Sequence, residues 1–423
     1  MGRLTLSKFI VEKSEPLKGK IRVNGAKNSV LALLPATLLT GEPCIIDEVP
    51  DLRDVGVMSE LLTVLGAKVK RDKERVEIHA DNLTSREAPY ELVQQMRASF
   101  YAMGPLLARY GVARVSQPGG CAIGARPIDL HLKGFTALGA EVELGHGYVE
   151  AKVEGRLKGA DIYLDFPSVG ATANIMMAAT LAEGQTIIEN AAEEPEIIDL
   201  ANFMNKMGAS IKGAGTDTIK INGVEKLNGA MHEVIPDRIE TGTYMVAAAI
   251  TGGDLMIENV VTSHLKPIIA KLRECNVNIE EHDDAIRVQG KADFTSVDVT
   301  TLPYPGFPTD MQAQFMALMA FAEGTSVINE TVFENRFMHV AELNRMGANI
   351  KIEGHSAVVQ GTKKLQGAQV KATDLRAGAA LILAGLVSDG ETEISEIRHI
   401  DRGYVRIEEK LGAVGAKIRR VQE

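Results

Sequence analysis

The sequence predicts an α/β fold of two inside-out domains, each made of three repeated βαβ-type units whose helices are enclosed by sheet. Three features predict it. Five segments open with glycine and run on as a short strand: GEPCIIDEV from Gly41, GQTIIENAA from Gly184, GDLMIENVV from Gly253, GTSVINETV from Gly324 and GETEISEIR from Gly390. Gly111 opens a looser sixth, GVARVSQPG. Before the opening glycines lie helical runs that are almost wholly apolar, such as Ile175–Leu181, Met245–Ile250 and Phe315–Phe321; a helix apolar all round is a buried one. The helical run after each strand ends in a glycine step, at Gly66-Ala67, Gly139-Ala140, Gly208-Ala209, Gly347-Ala348 and Gly415-Ala416, with Asn276-Val277 as the divergent copy. Glycine is the residue that closes a helix in the left-handed conformation.

In chain order, each unit reads as buried helix, strand, amphipathic helix, glycine turn and strand. Val57–Leu65 and Ile197–Met207 are clear amphipathic members. Strands alternating with helices at this spacing suit βαβ units, and a repeat of about 70 residues marks a modular architecture. With 423 residues the chain is too long for one ordinary core. Three units per domain place one domain, which carries the Cys121 loop, at 23–234. The other is discontinuous, at 1–22 plus 235–423. The stretch near Phe9–Val23 is expected to be a strand in a sheet of the discontinuous domain.

Composition narrows the function. A net charge of -10 argues against a large nucleic-acid footprint, while a local cationic cluster for a small anion stays open. No tryptophan and 4% aromatics leave no stacking platform for single strands. Three sparse cysteines, Cys44, Cys121 and Cys275, argue against a disulfide framework and suit a reducing compartment. The N-terminus has no signal-peptide pattern, and the apolar stretch around Ala377–Val387 is too short to span a bilayer. A cytoplasmic protein with no membrane partner is the expectation. Walker A and HExxH motifs are absent and the nine histidines form no ligand cluster, so the sequence calls for no metal and no cofactor. His131 and His399 read as structural.

Candidate chemistry begins at Cys121, in Gln117-Pro118-Gly119-Gly120-Cys121-Ala122-Ile123-Gly124-Ala125-Arg126. Glycines let a backbone approach a ligand closely, and a neighbouring cation favours thiolate. From opening glycine to glycine step the second unit is the longest, and its surplus falls in this loop; an insertion in one copy of a repeat is usually functional. Fourteen residues before the opening glycines stand Lys27, Arg97, Gly170, Ile239, Asp310 and Arg376, all expected at buried-helix starts. Asp310 with Thr309 fits an ordinary helix cap. Lys27, Arg97 and Arg376 oppose the helix dipole, a placement that makes sense if an anion binds there. Twelve residues after the opening glycine come Arg53, Arg336 and Arg402; each reads by itself as a solvated helix-face arginine, and Arg53 keeps that reading.

These segments together resemble the enolpyruvyl transferase family over essentially the whole chain. The likeness rests on Val23-Asn24-Gly25-Ala26-Lys27-Asn28, the Cys121 loop through Arg126-Pro127-Ile128-Asp129-Leu130, Ser168-Val169-Gly170-Ala171-Thr172, Pro308-Thr309-Asp310, Phe333-Glu334-Asn335-Arg336-Phe337, Asp374-Leu375-Arg376 and Asp401-Arg402-Gly403-Tyr404. The resemblance implies two inside-out domains with the active site in the interdomain cleft. It also implies transfer of the enolpyruvyl group of phosphoenolpyruvate to the 3′-hydroxyl of UDP-N-acetylglucosamine, a step of peptidoglycan synthesis, through a tetrahedral ketal. Closure on ligand binding is expected.

By the same resemblance, Lys27, Arg126 and Arg402 hold the phosphate. Arg97, Arg336 and Arg376 complete the charged site, the last two near the carboxylate. Cys121 acts as general acid, assists product release or forms an adduct, and is the point of attack for fosfomycin. Asp310 accepts the hydroxyl proton or acts in the elimination. Asn28 binds the amino sugar. Arg126, Pro127, Ile128, Asp129, Leu130, Ser168, Val169, Gly170, Thr309 and Val332 line the nucleotide sites. Where some members carry a lysine contact to the nucleotide, this chain has Phe166. The alternatives are a shikimate-pathway enolpyruvyl transferase, against which the loop cysteine stands, and a non-catalytic nucleotide-sugar binding protein, against which the intact charged positions stand. An RNA-end cyclase is disfavoured by the acidic charge.

Overall fold

The structure is a computed structural model that describes residues 7–117, 128–145, 147–291 and 293–422. Among these, Gly25 to Ile235 form one compact unit; the residues up to Asn24 with those from Pro236 onward form the other. Cys121, Arg126 and Pro127 lie outside the described residues.

Each unit contains three four-stranded sheets of one pattern. In five of these sheets the strand after the opening glycine pairs antiparallel with the second arm of a hairpin, and in the sixth Glu391–Ser395 pairs antiparallel with Ser7–Glu12; in each its other neighbour runs parallel. In the sheet built on Gln185–Glu189, for example, Thr218–Asn222 lies antiparallel and Asp161–Tyr163 parallel. Alternating burial along these strands puts one face inward, as in Gln185–Glu189, where Thr186 and Ile188 are buried.

The apolar helical runs are buried as their composition requires. Arg238–Thr251, Gln312–Phe321 and Leu375–Gly385 pack against one another in the unit that runs on from Pro236, with Met245 to Ala249 and Phe315 to Ala320 fully buried. Each large apolar side chain so removed from water contributes about 1.5–3 kcal/mol. In the 25–235 unit, Met103–Tyr110 and Val169–Ala179 approach closely because Gly104 has no side chain; a methyl group there would stand 2.5 Å from the Asn174 carbonyl oxygen.

The glycine steps are left-handed in all copies: φ is 107° at Gly66, 91° at Gly139, 105° at Gly208, 90° at Gly347 and 102° at Gly415. Asn276 takes the same conformation, at 67°, as asparagine tolerates better than most residues. The divergent copy therefore keeps the turn and changes only the residue.

One expectation is corrected. The stretch Phe9–Val23 is two strands rather than one, Ser7–Glu12 and Lys18–Arg22, in two different sheets. Ser7–Glu12 lies between Glu391–Ser395 and Lys417–Gln422, and Lys18–Arg22 runs parallel to Asp254–Glu258. Met231–Glu233 likewise runs parallel to Cys44–Asp47. Each unit is thus closed by pairing a strand near its chain exit with one near its chain entry.

Candidate active site

The positions singled out by their phase all stand where a buried helix begins. Lys27 opens Lys27–Ala36; Arg97 opens a 3-10 turn that leads into Met103–Tyr110; Asp310 lies in the 3-10 turn Thr309–Met311 before Gln312–Phe321. Gly170, Ile239 and Arg376 are each the second residue of their helices. Ser168, Asp237 and Asp374 cap three of these helices by accepting from backbone N–H groups. The reading of Asp310 and Thr309 as an ordinary cap does not hold. Pro308 occupies the cap position, with no side-chain bond, and the Asp310 carboxylate is engaged elsewhere.

It is held by two arginines. Arg336 Nη2 donates to Asp310 Oδ1 at 2.7 Å, while Arg376 donates to Oδ2 from Nη2 at 3.1 Å and Nε at 3.3 Å. Arg336 is 5% exposed and Arg376 2%, so Arg336 is not the solvated arginine that its sequence neighbourhood suggests. Burial works against the charge on Arg376, but Tyr404, Asp310 and Asp237 hold its pKa above the ordinary arginine value. Its guanidinium lies 5.4 Å from the centre of the buried Tyr404 ring. The Tyr404 hydroxyl is in turn fixed by Thr243 Oγ1 at 2.9 Å and Gln314 Nε2 at 3.3 Å. Thr309 joins the cluster, its Oγ1 accepting from Arg336 Nη1 at 3.0 Å. A short turn, Ile397–Arg402, brings half-buried Arg402 to the start of the Arg376 helix; a methyl group on Gly403 would stand 3.6 Å from Arg376 Nη1. Val332 is half-buried in the loop before Arg336.

In the 25–235 unit, Lys27 is 5% exposed and its Nζ lies 2.8 Å from Asp54 Oδ2. The same helical turn is anchored by Ser29, whose hydroxyl donates to buried Asp199; that carboxylate also takes His232 Nε2 at 2.7 Å. Asn28, between the two anchors, is exposed. Arg53 is exposed too, as expected. Ser168 Oγ accepts from Ala171 N at 3.3 Å, so Val169 and Gly170 form a helix N-terminus, a natural anion site. Ile128, Asp129 and Leu130 begin the Asp129–Ala137 helix. On that helix His131 takes up Asn174 Nδ2 on its Nδ1 at 3.1 Å, and a methyl group on Gly170 would stand 3.1 Å from its Nε2. Burial first, and Arg97 second, push the His131 pKa down to about 3. It is a neutral, structural histidine. Lys133 forms an ion pair with Asp165 at 2.8 Å, beside exposed Phe166.

Two residues escaped the sequence reading. Asp54 adjoins Arg53 at the phase already counted, and the amphipathic pattern of Arg53–Leu65 puts it on the buried face. Glu330, 1% exposed, carries no sequence signal, because glutamate also follows the strand at Glu48 and Glu396. Its backbone sets it apart: the residue after the strand is left-handed at Glu48, Asn190, Asn259 and Glu396, but not at Glu330.

Among the described residues no group of histidine, cysteine and acidic side chains could hold a metal, and no helix is long and apolar enough to cross a membrane.

Comparison with known proteins identifies the family. The model of the EPSP synthase (3-phosphoshikimate 1-carboxyvinyltransferase) family matches residues 11–411. The chain is 64% identical over 414 residues to UDP-N-acetylglucosamine 1-carboxyvinyltransferase 1 of Caldanaerobacter subterraneus, covering 98% of this chain and 99% of that protein. It is 61% identical over 420 residues to UDP-N-acetylglucosamine 1-carboxyvinyltransferase 2 of Carboxydothermus hydrogenoformans, covering 99% and 100%. Its fold matches the crystal structure of the enolpyruvyl transferase NikO from Streptomyces tendae with a TM-score of 0.89 at 26% identity, over 99% of this chain and 100% of that one. EPSP synthase from Acinetobacter baumannii shares the fold, with a TM-score of 0.78 at 19% identity over 99% and 100%. The chain belongs to the enolpyruvyl (1-carboxyvinyl) transferase family.

Proposed function

We propose that this protein transfers the enolpyruvyl group of phosphoenolpyruvate to the 3′-hydroxyl of UDP-N-acetylglucosamine, releasing phosphate, as the first committed step of peptidoglycan synthesis in the cytoplasm. What carries the reading is near-full-length identity of 56% to 64% to proteins named for that transfer. The paired arginines on Asp310 supply matching chemistry.

Phosphoenolpyruvate brings a phosphate and a carboxylate, and planar guanidinium groups suit both. Arg336 and Arg376 are assigned to the carboxylate, and Lys27, Arg126 and Arg402 to the phosphate, with Arg97 completing the charge. Asn28 takes the amino sugar. Ser168, Val169 and Gly170, with Arg126 to Leu130, Thr309 and Val332, take the nucleotide. A proton from the acid, assigned to Cys121, adds to the vinyl CH2 carbon. The neighbouring carbon becomes oxocarbenium-like, and the sugar oxygen bonds to it while Asp310 accepts the hydroxyl proton. The carbon–oxygen bond to phosphate then breaks and a proton leaves the new methyl group, which restores the double bond. Each step moves a proton or a carbon–oxygen bond, so the scheme calls for no redox cofactor.

The test is phosphate release from phosphoenolpyruvate with UDP-N-acetylglucosamine or shikimate 3-phosphate as acceptor. Release only with the nucleotide sugar, lost in Asp310→Ala, is expected. Release with shikimate 3-phosphate would move the chain to the sister activity, and tight nucleotide-sugar binding without turnover would make it a binding protein. Fosfomycin should inactivate the wild type and spare Cys121→Asp; equal loss in both would remove Cys121 from the scheme.

A further inference from the structure

Glu330 is a carboxylate sealed inside the protein, 1% exposed, on which four donors converge. Oε1 accepts from Thr301 Oγ1 at 2.9 Å, Val332 N at 2.9 Å and Phe333 N at 3.2 Å; Oε2 accepts from Thr309 Oγ1 at 2.8 Å. The last bond fixes a direction. A threonine hydroxyl has one proton, and a carboxylate can only accept it. Thr309 Oγ1 therefore turns its lone pairs the other way, toward Arg336 Nη1 at 3.0 Å. The second arm of the same guanidinium, Nη2, holds Asp310 at 2.7 Å. A continuous chain runs from Glu330 through Thr309 and Arg336 to Asp310.

The geometry points to Glu330 as a positioning residue for the enolpyruvyl transfer, which sets the rotamer and plane of Arg336 through the Thr309 hydroxyl. The inference rests on the proposed roles of Arg336 and Asp310. A guanidinium held at both ends presents its remaining donor edge at a fixed angle, which is what bidentate recognition of a carboxylate needs. The backbone N–H groups of Val332 and Phe333 couple the same carboxylate to the loop that delivers Arg336, so Glu330 sets both the loop and the side chain it carries.

Removing the relay should disturb phosphoenolpyruvate more than the nucleotide sugar. Thr309→Val is expected to lower kcat/KM for phosphoenolpyruvate about tenfold, the size of one lost charge-assisted hydrogen bond, and Thr309→Ser, which keeps the hydroxyl, to recover most of that loss. In Glu330→Gln the amide can present an N–H to Thr309 and turn the hydroxyl proton against Arg336, with a similar loss. The decisive comparison is the double variant. If Glu330 acts through Thr309, Glu330→Gln/Thr309→Val is no worse than Thr309→Val by more than about twofold. Multiplying losses, or a Thr309→Val variant with wild-type kcat/KM, would overturn the relay. Should Glu330→Gln fail to fold, the Thr309→Val and Thr309→Ser pair still decides. Side-chain nitrogen NMR of Arg336 separates this from the functional reading: guanidinium rotation should be faster in Thr309→Val than in wild type, with only the Asp310 arm still held. Unchanged rotation sinks the relay, whether or not the wild type releases phosphate.

Discussion

Arg376 donates two hydrogen bonds to one oxygen of Asp310, Oδ2, at 3.1 and 3.3 Å, and leaves the other oxygen to Arg336 at 2.7 Å. The single charge of Asp310 is thus shared between two buried cations, so its removal should cost stability as well as activity. Breaking a buried pair typically costs about 3–5 kcal/mol, and the partial exposure of Asp310, 26% at its side chain, places the effect near the lower figure. Asp310→Ala should therefore unfold about 3 kcal/mol more easily in urea and lose at least about a hundredfold in kcat. A variant as stable as wild type would show that the arginines are not restrained by this carboxylate.

Lys27 and Asp54 make the corresponding prediction in the other unit. Both are nearly inaccessible to water, and Asp54→Asn removes the charge opposite Lys27 without changing shape. Expected are a stability loss of about 3 kcal/mol and a raised KM for phosphoenolpyruvate. Calorimetry and steady-state kinetics together check it; a kinetic change with no change in stability would mean that Asp54 acts on the substrate rather than on Lys27.

Two of the buried histidines, His131 and His339, make stability depend on acid. Burial lowers the His131 pKa to about 3, with Arg97 adding to it, and lowers the His339 pKa to about 4, where Arg336 adds and Asp374 opposes. Both pKa values lie below the ordinary 6.5, so the unfolded chain takes up these protons first. The contribution is full above about pH 6.5 and is lost as pH falls through the folded values. At pH 5 each histidine should cost about 2 kcal/mol relative to pH 7. His131→Gln and His339→Gln should flatten the slope of stability against pH between 7 and 5; slopes parallel to wild type would contradict it.

Thiol chemistry should single out Cys121. Cys44 and Cys275 are free and fully buried; burial is the main cause that raises both pKa values, that of Cys275 to about 12. Native Cys121→Asp protein should react with no aromatic disulfide reagent at neutral pH, and two thiols should appear on unfolding. A reactive thiol in the native variant would show that one of the buried pair opens to solvent.

Much of this was legible in the sequence because the repeat supplies six aligned copies within one chain. The glycine steps predicted left-handed turns, and even Asn276 obeys. The phase that singled out Lys27, Arg97, Asp310 and Arg376 located helix starts correctly. Local sequence could not tell which way a side chain points once there. Arg336 looks like a surface arginine because its neighbours Glu334 and Asn335 are exposed, yet it turns inward to a carboxylate that is remote in sequence. Asp310 looked like a cap because capping is local, while its real partners lie 26 and 66 residues away. Glu330 was invisible for the same reason: its fourth donor, Thr309, lies 21 residues upstream.

The placement of Ser7–Glu12 between Glu391–Ser395 and Lys417–Gln422 sets a timetable for synthesis. A strand made before the inserted unit must wait, unpaired, until Glu391–Ser395 has left the ribosome. The 25–235 unit can close as soon as Met231–Glu233 emerges and reaches Cys44–Asp47. Domains fold as units during translation, so the inserted unit is complete while its host is still an open fragment with exposed strand edges. The nascent chain is most exposed to misassembly late in translation, when the host has most of its strands but not its last.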